Sequence, residues 1–258
     1  MRSLARIGTL AANTVREAIR NRVLYTLVFF AVLLIGTGVL LSTLSYVERG
    51  RILQDVGLAA IRLFGAAIAA FVGIGLIHNE VDRRTIYTIL SKPLSRTEFL
   101  LGKYFGLLAT LWLQLIVMGG VFGACSLLAG APLTPAHAAA LVLTAIELGL
   151  LAALATFFSA FTTPMLASLF TVGLYLIGHL TRNLRDLGSH SDVAVVREAT
   201  ALLHRVLPDL ESFNLSTHAV HGLAVAASDV WLPLVYGAGY SVLVLFLATL
   251  IFERRDFR

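Results

Sequence analysis

The stretch Ala138–Phe161 reads AAALVLTAIELGLLAALATFFSAF, 24 residues with one ionisable side chain, Glu147. As a helix it is about 36 Å long at 1.5 Å per residue, enough to cross roughly 30 Å of hydrocarbon. Five other runs have the same character: about Leu24–Leu44, Gly57–Ile77, Phe105–Ala129, Met165–Leu180 and Trp231–Phe252. Hydrophobic residues fill 58% of the 258 positions before glycine is counted, against roughly 45–50% with glycine included in soluble domains. This composition excludes a water-soluble fold. The predicted class is an all-α polytopic membrane protein with six transmembrane helices.

An even number of spans puts both termini on one side, and the basic residues say which. Arg2, Arg6, Arg16, Arg20 and Arg22 precede the first run; Arg83, Arg84, Lys92, Arg96 and Lys103 follow the second; Arg254, Arg255 and Arg258 close the chain. These are 13 of the 20 lysines and arginines, whereas the opposite side holds Arg49, Arg51, Arg182, Arg185, Arg197 and Arg205. The positive-inside bias therefore places both termini and the segment Glu80–Phe99 in the cytoplasm. The net charge of +5 reflects topology and gives no support to nucleic-acid binding.

Residues 1–22 lack the short apolar core and small-residue cleavage site of a targeting peptide. Leu4, Ile7, Ala11, Val15, Ala18 and Ile19 recur at helical spacing among Arg2, Arg6, Asn13, Glu17 and Arg20, which predicts an amphipathic helix on the inner membrane surface. Cys125 is the only cysteine, so no disulfide forms within the chain. Gly119 and Gly123, in GxxxG spacing with Gly120 and Gly130 nearby, suggest close helix packing within the chain.

Beyond the fifth run, residues 181–230 form the one long non-spanning stretch. Ser191 and Asp192 are candidate caps for a helix presenting Val193, Val196, Ala199, Leu203 and Val206, ended by Pro208, and a second helix is expected over Ser216–Ala227. His204, His218 and His221 lie here, but local sequence offers no full ligand set, so no metal site is assigned.

Two ionisable residues fall inside the apolar runs, Arg62 in the second and Glu147 in the fourth. Intramembrane charge is costly and marks a pathway or a partner. Arg62 is near enough to its outer end to snorkel outward. Glu147 is too deep for that, and is expected to pair with Arg62, to be protonated or to line a polar cavity. An ion-coupled secondary transporter using Glu147 is the alternative function. His179, near a serine or threonine, is a poor candidate for an intramembrane catalyst.

No nucleotide-binding or hydrolytic motif is legible. The only Gly-Lys pair, Gly102–Lys103, has Thr97 where a P-loop needs glycine and is followed by Tyr104. Energy must then come from another chain. The segment EVDRRTIYTILSKPLSRTEF, Glu80–Phe99, has seven charges in twenty residues. Ile86, Ile89 and Leu90 share one side of a helix that Lys92–Pro93 closes, a form suited to a groove on a soluble partner or to the membrane surface.

The chain resembles the membrane subunit of type-2 ABC exporters. The resemblance rests on REAIRNRVLY (Arg16–Tyr25), on Glu80, Arg84–Thr85–Ile86, Leu90, Lys92–Pro93–Leu94–Ser95–Arg96 and Gly102–Lys103, and on LPDLESFNL (Leu207–Leu215) and FERRDF (Phe252–Phe257). Arg84 stands where many members carry glycine. The resemblance implies one transmembrane domain over residues 1–258, with residues 1–22 as a connecting helix and residues 80–99 as a coupling segment. Its ATPase contacts would be Glu80, Arg83, Arg84, Thr85, Tyr87, Leu90, Lys92, Pro93 and Arg96. It further implies two short outer helices and a bacterial cytoplasmic (inner) membrane location. The expected partners are an ATP-binding cassette subunit holding ATP and Mg, a second permease subunit, membrane lipid and an extracytoplasmic protein. No cofactor is expected on this chain.

Overall fold

A computed structural model describes residues 2–43, 48–82, 95–189 and 193–254, all of them in helices, turns and short connections, with no strand among the described residues. Among the described residues nine α-helices follow in order: α1 Arg2–Ile19, α2 Arg22–Ser42, α3 Arg49–Asp82, α4 Arg96–Leu128, α5 Pro135–Ser159, α6 Pro164–Ser189, α7 Ala194–Val206, α8 Ser216–His221 and α9 Ala227–Arg254, with a 3₁₀ turn at Leu210–Phe213 before α8. Six of them, α2 to α6 and α9, are long and apolar enough to cross a membrane.

Burial ranks these spans. Two-thirds of the apolar windows of α3 and α5 is buried, against 22% for α2 and α6 and 28% for α9, so α3 and α5 form the centre. Both pack on α4 and α6, while α2 lies on α3 and α9 lies on α5. Phe29, Leu169 and Phe246 stay exposed on the outer spans, as expected where lipid replaces water as the solvent. The central seam is close because α3 has glycine at 57, 65 and 73, where a Cβ would run into Phe122, Leu148 and Leu107. The GxxxG pair on α4 is looser: a Cβ at Gly119 or Gly123 would make only ordinary contacts with Leu141 and Leu133.

Helix limits follow local chemistry. Asn21 caps α2 by accepting from Val23 N at 2.9 Å, which breaks the chain between α1 and α2. Spans α3, α4 and α6 outrun the apolar text, α4 by starting at Arg96. α3 has 34 residues, about 51 Å at the α-helical rise, and α6 continues as helix through Ser189, so the first residues of the expected outer region extend a span. The helix expected over Ser216–Ala227 ends early at His221, because Gly222 takes a left-handed φ of 66° and closes it. Ser191 and Asp192 lie outside the described residues, and α7 starts after Val193.

Candidate functional site

Two polar assemblies stand out in this apolar bundle, one within the spans and one at the end that carries both termini. The first is built on the central helices. Glu147 is the thirteenth residue of the 25-residue α5 and is 1% exposed. Arg62 reaches it from α3, with Nε 3.2 Å from Glu147 Oε2. Its guanidinium therefore turns inward to the carboxylate, and the expectation that it snorkels outward is corrected. The pull of a buried counter-charge exceeds that of a distant interface when the carboxylate lies within ion-pair reach.

The third member is His179 of α6. Its Nε2 is 2.7 Å from Arg62 Nη2 and 3.2 Å from Glu147 Oε1, and its Nδ1 is 2.9 Å from the Tyr175 carbonyl oxygen. A carbonyl only accepts, so Nδ1 carries a hydrogen and donates it. In the neutral ring Nε2 then accepts from Arg62, and Glu147 Oε1 is a buried oxygen without a hydrogen-bond donor. In the charged ring Nε2 donates to Oε1 and loses the bond from Arg62. The cluster thus has two hydrogen-bond arrangements that differ by one proton, and in both it ties α3, α5 and α6 together.

The second assembly surrounds the start of α4. Ser95 and Glu98 form a reciprocal cap: Glu98 N donates to Ser95 Oγ and Ser95 N to Glu98 Oε2, each at 3.1 Å. Arg6 of α1 lies 3.7 Å from that carboxylate. Arg96 Nη1 donates to the carbonyls of Phe252 and Glu253 at 3.3 and 3.0 Å, placing a cation on the negative end of α9. Thr97 Oγ1 donates to Glu253 Oε1 at 2.8 Å, and the Phe99 and Phe252 rings stack 6.2 Å apart. One turn further, the buried Lys103 Nζ is 3.2 Å from Glu17 Oε2 of α1.

This contact between α1 and α4 depends on two small residues. A Cβ at Gly102 would lie 2.6 Å from Leu10 Cβ, and one at Gly106 would strike Thr14 and come 2.8 Å from the Ala11 carbonyl oxygen. Thr14 and Ala18 are buried in the seam, while Leu4 is 76% exposed. The packed face of α1 is therefore rotated from the one its apolar spacing suggests. Gly106→Val is expected to push α1 off α4, since overpacking costs about 1–3 kcal/mol and separates Glu17 from Lys103. Trypsin should then cut at the exposed Arg16 at lower protease levels than in the parent protein; equal protection would show that the seam tolerates the side chain.

Of the expected ATPase-contact residues, Arg83, Arg84, Thr85, Tyr87, Leu90, Lys92 and Pro93 lie outside the described residues; Glu80 is in the last turn of α3, and Arg96 holds the end of α9. Sequence reasoning missed His179 as a partner of the intramembrane pair. No group of three His, Cys, Asp or Glu side chains arranged for a metal occurs among the described residues. His218 borders a cavity at the far end of the bundle, away from the termini.

The family model described as ABC-2 family transporter protein matches residues 8–257. No curated protein matches the chain. The match runs from within α1 to the end of α9 and takes in all six spans and, Arg6 apart, both assemblies. It leaves the ion-coupled alternative for Glu147 without support. Such membrane subunits are permeases, not themselves ATPases, and pair with an ATP-binding cassette subunit. A multi-pass helical bundle matched over almost its whole length belongs to the ABC-2 transporter family, as its membrane-spanning permease subunit.

Proposed function

We propose that this chain is the permease of an ATP-driven exporter in a bacterial cytoplasmic membrane, with its termini in the cytoplasm, and that residues 80–99 receive the stroke of the ATP-binding subunit. The observation that carries this reading is the junction at the start of α4. Residues 83–94 connect α3 to Ser95, and the next nine residues join α1, α4 and α9 through Glu98, Arg96, Thr97 and Lys103. A push on that segment is delivered to three helices together rather than absorbed in one loop.

ATP and Mg act on the partner subunit, and a second permease, identical or related, completes the transporter. ATP favours one arrangement of the pair and hydrolysis the other, so alternating access follows from differential affinity. Movement of α3 must strain or rebuild the Arg62–Glu147–His179 contacts with α5 and α6. The cluster is thereby the point at which a signal entering at α4 and α3 meets the rest of the bundle.

Labelling tests the orientation. In a Cys125→Ser background, a cysteine replacing Thr217, exposed on α8, should react with an impermeant thiol reagent added outside intact cells. A cysteine replacing Ser91 should react only after the cells are opened. The reverse pattern would put the segment 80–99 outside and remove it as an ATPase contact.

A further inference from the structure

At the far end of the bundle, the 3₁₀ turn, the start of α8 and the first four turns of α9 border an open cavity of about 650 Å³. This lies within the 300–1,000 Å³ usual for sites of drug-sized ligands. We propose that it binds an amphipathic organic cation. The claim that such a cation is also carried rests on the permease reading above; the binding does not.

Charge is the first argument. Asp209, Glu211 and Asp229 all line the cavity, and no lysine or arginine does among the described residues. Glu211 Oε1 accepts from Asn214 Nδ2 at 2.8 Å, and Asp229 Oδ2 accepts from Ala226 N at 3.0 Å. Both carboxylates are thus oriented by neutral donors that leave their charge uncancelled. Pro233, in the second turn of the cavity-lining helix, has no N–H, so the Asp229 carbonyl lacks its usual partner four residues on.

The rest of the lining fits an organic body. Tyr236 and Tyr240 present two rings 5.9 Å apart and tilted by 54°, and Tyr236 OH is fixed by accepting from Asp209 N at 3.0 Å. Aromatic faces beside carboxylates favour a delocalised cation. Leu215 and Leu232 add apolar lining, and Trp231 and Leu232 are exposed on α9, which offers an approach from lipid. A bare metal ion fits poorly, because the side chains do not converge as a ligand set.

The test is equilibrium binding of tetraphenylphosphonium to the full chain in phosphatidylcholine nanodiscs, without nucleotide. Saturable binding of one probe per chain is expected. Glu211→Gln with Asp229→Asn keeps both hydrogen bonds and removes both charges, so it should weaken binding by about tenfold or more, while the neutral triphenylphosphine oxide should compete at least about tenfold less well. An unaltered melting temperature in the double variant confirms that it is folded. Binding no greater than to empty nanodiscs, equal affinity in the double variant, or equal competition by the oxide would each overturn the proposal. None of these results bears on whether an ATP-binding subunit drives the chain, which is read by co-purification.

Discussion

Glu147→Leu is expected to destabilise the protein by about 3–5 kcal/mol, because breaking a buried ion pair from one side leaves the other charge uncompensated. Glu147 is 1% exposed and the Arg62 side chain 12% exposed, so solvent gives little relief to the guanidinium left behind. Glu147→Gln should cost less, since its amide oxygen still accepts from Arg62 Nε. The double variant Arg62→Leu, Glu147→Leu should recover most of the loss, as apolar replacement of a whole buried pair is often neutral or favourable. Thermal unfolding of the purified detergent-solubilised proteins reads all three. Recovery of stability without recovery of transport would assign the pair to coupling between α3 and α5. A Glu147→Leu protein with the parent's melting temperature and full transport would show the cluster to be idle.

The spans were legible because lipid imposes a simple demand: each crossing needs about twenty apolar residues whose backbone bonds are made internally. The runs from Ala138 and from Trp231 correspond to α5 and α9 within a few residues at each end. Their extensions beyond the membrane were not legible, because α3 and α6 continue as helix through polar text that pattern reading assigns to connections. The intramembrane pair could be anticipated because ionisable residues in such runs need partners. His179 could not, since a histidine near the end of the fifth run is unremarkable; its depth relative to Arg62 and the Tyr175 carbonyl one turn before it are features of the folded chain.

Close packing was the least legible feature. Gly119 and Gly123 have the familiar spacing and pack loosely, whereas Gly102 and Gly106 admit α1 onto α4. Which glycine faces a neighbour depends on helix rotation, and composition does not encode that. Thr14 lies outside the apolar spacing of α1, yet it is buried with its hydroxyl donating to the Leu10 carbonyl at 2.9 Å. A threonine that satisfies itself on its own helix behaves as a small apolar residue in a seam.

The reversal Arg83→Glu with Arg84→Glu should have the largest effect on function. If this basic pair meets acidic or polar groups of the ATP-binding subunit, removing one side of a buried, hydrogen-bonded charge contact costs on the order of 2–5 kcal/mol, and reversing it adds repulsion. Solvated or headgroup-facing charges would cost about 0–1 kcal/mol. Under the proposed topology insertion should survive, because Lys92, Arg96 and Lys103 keep the positive-inside bias of the segment. Reversal of Arg254 and Arg255 controls for loss of cytoplasmic charge alone. The decisive measurement is the amount of ATP-binding subunit that co-purifies with the permease in mild detergent. The account predicts one ATPase per permease for the parent and the Arg254/Arg255 control, with little or none for the Arg83/Arg84 variant. A full complement of ATPase on the Arg83/Arg84 variant would contradict it.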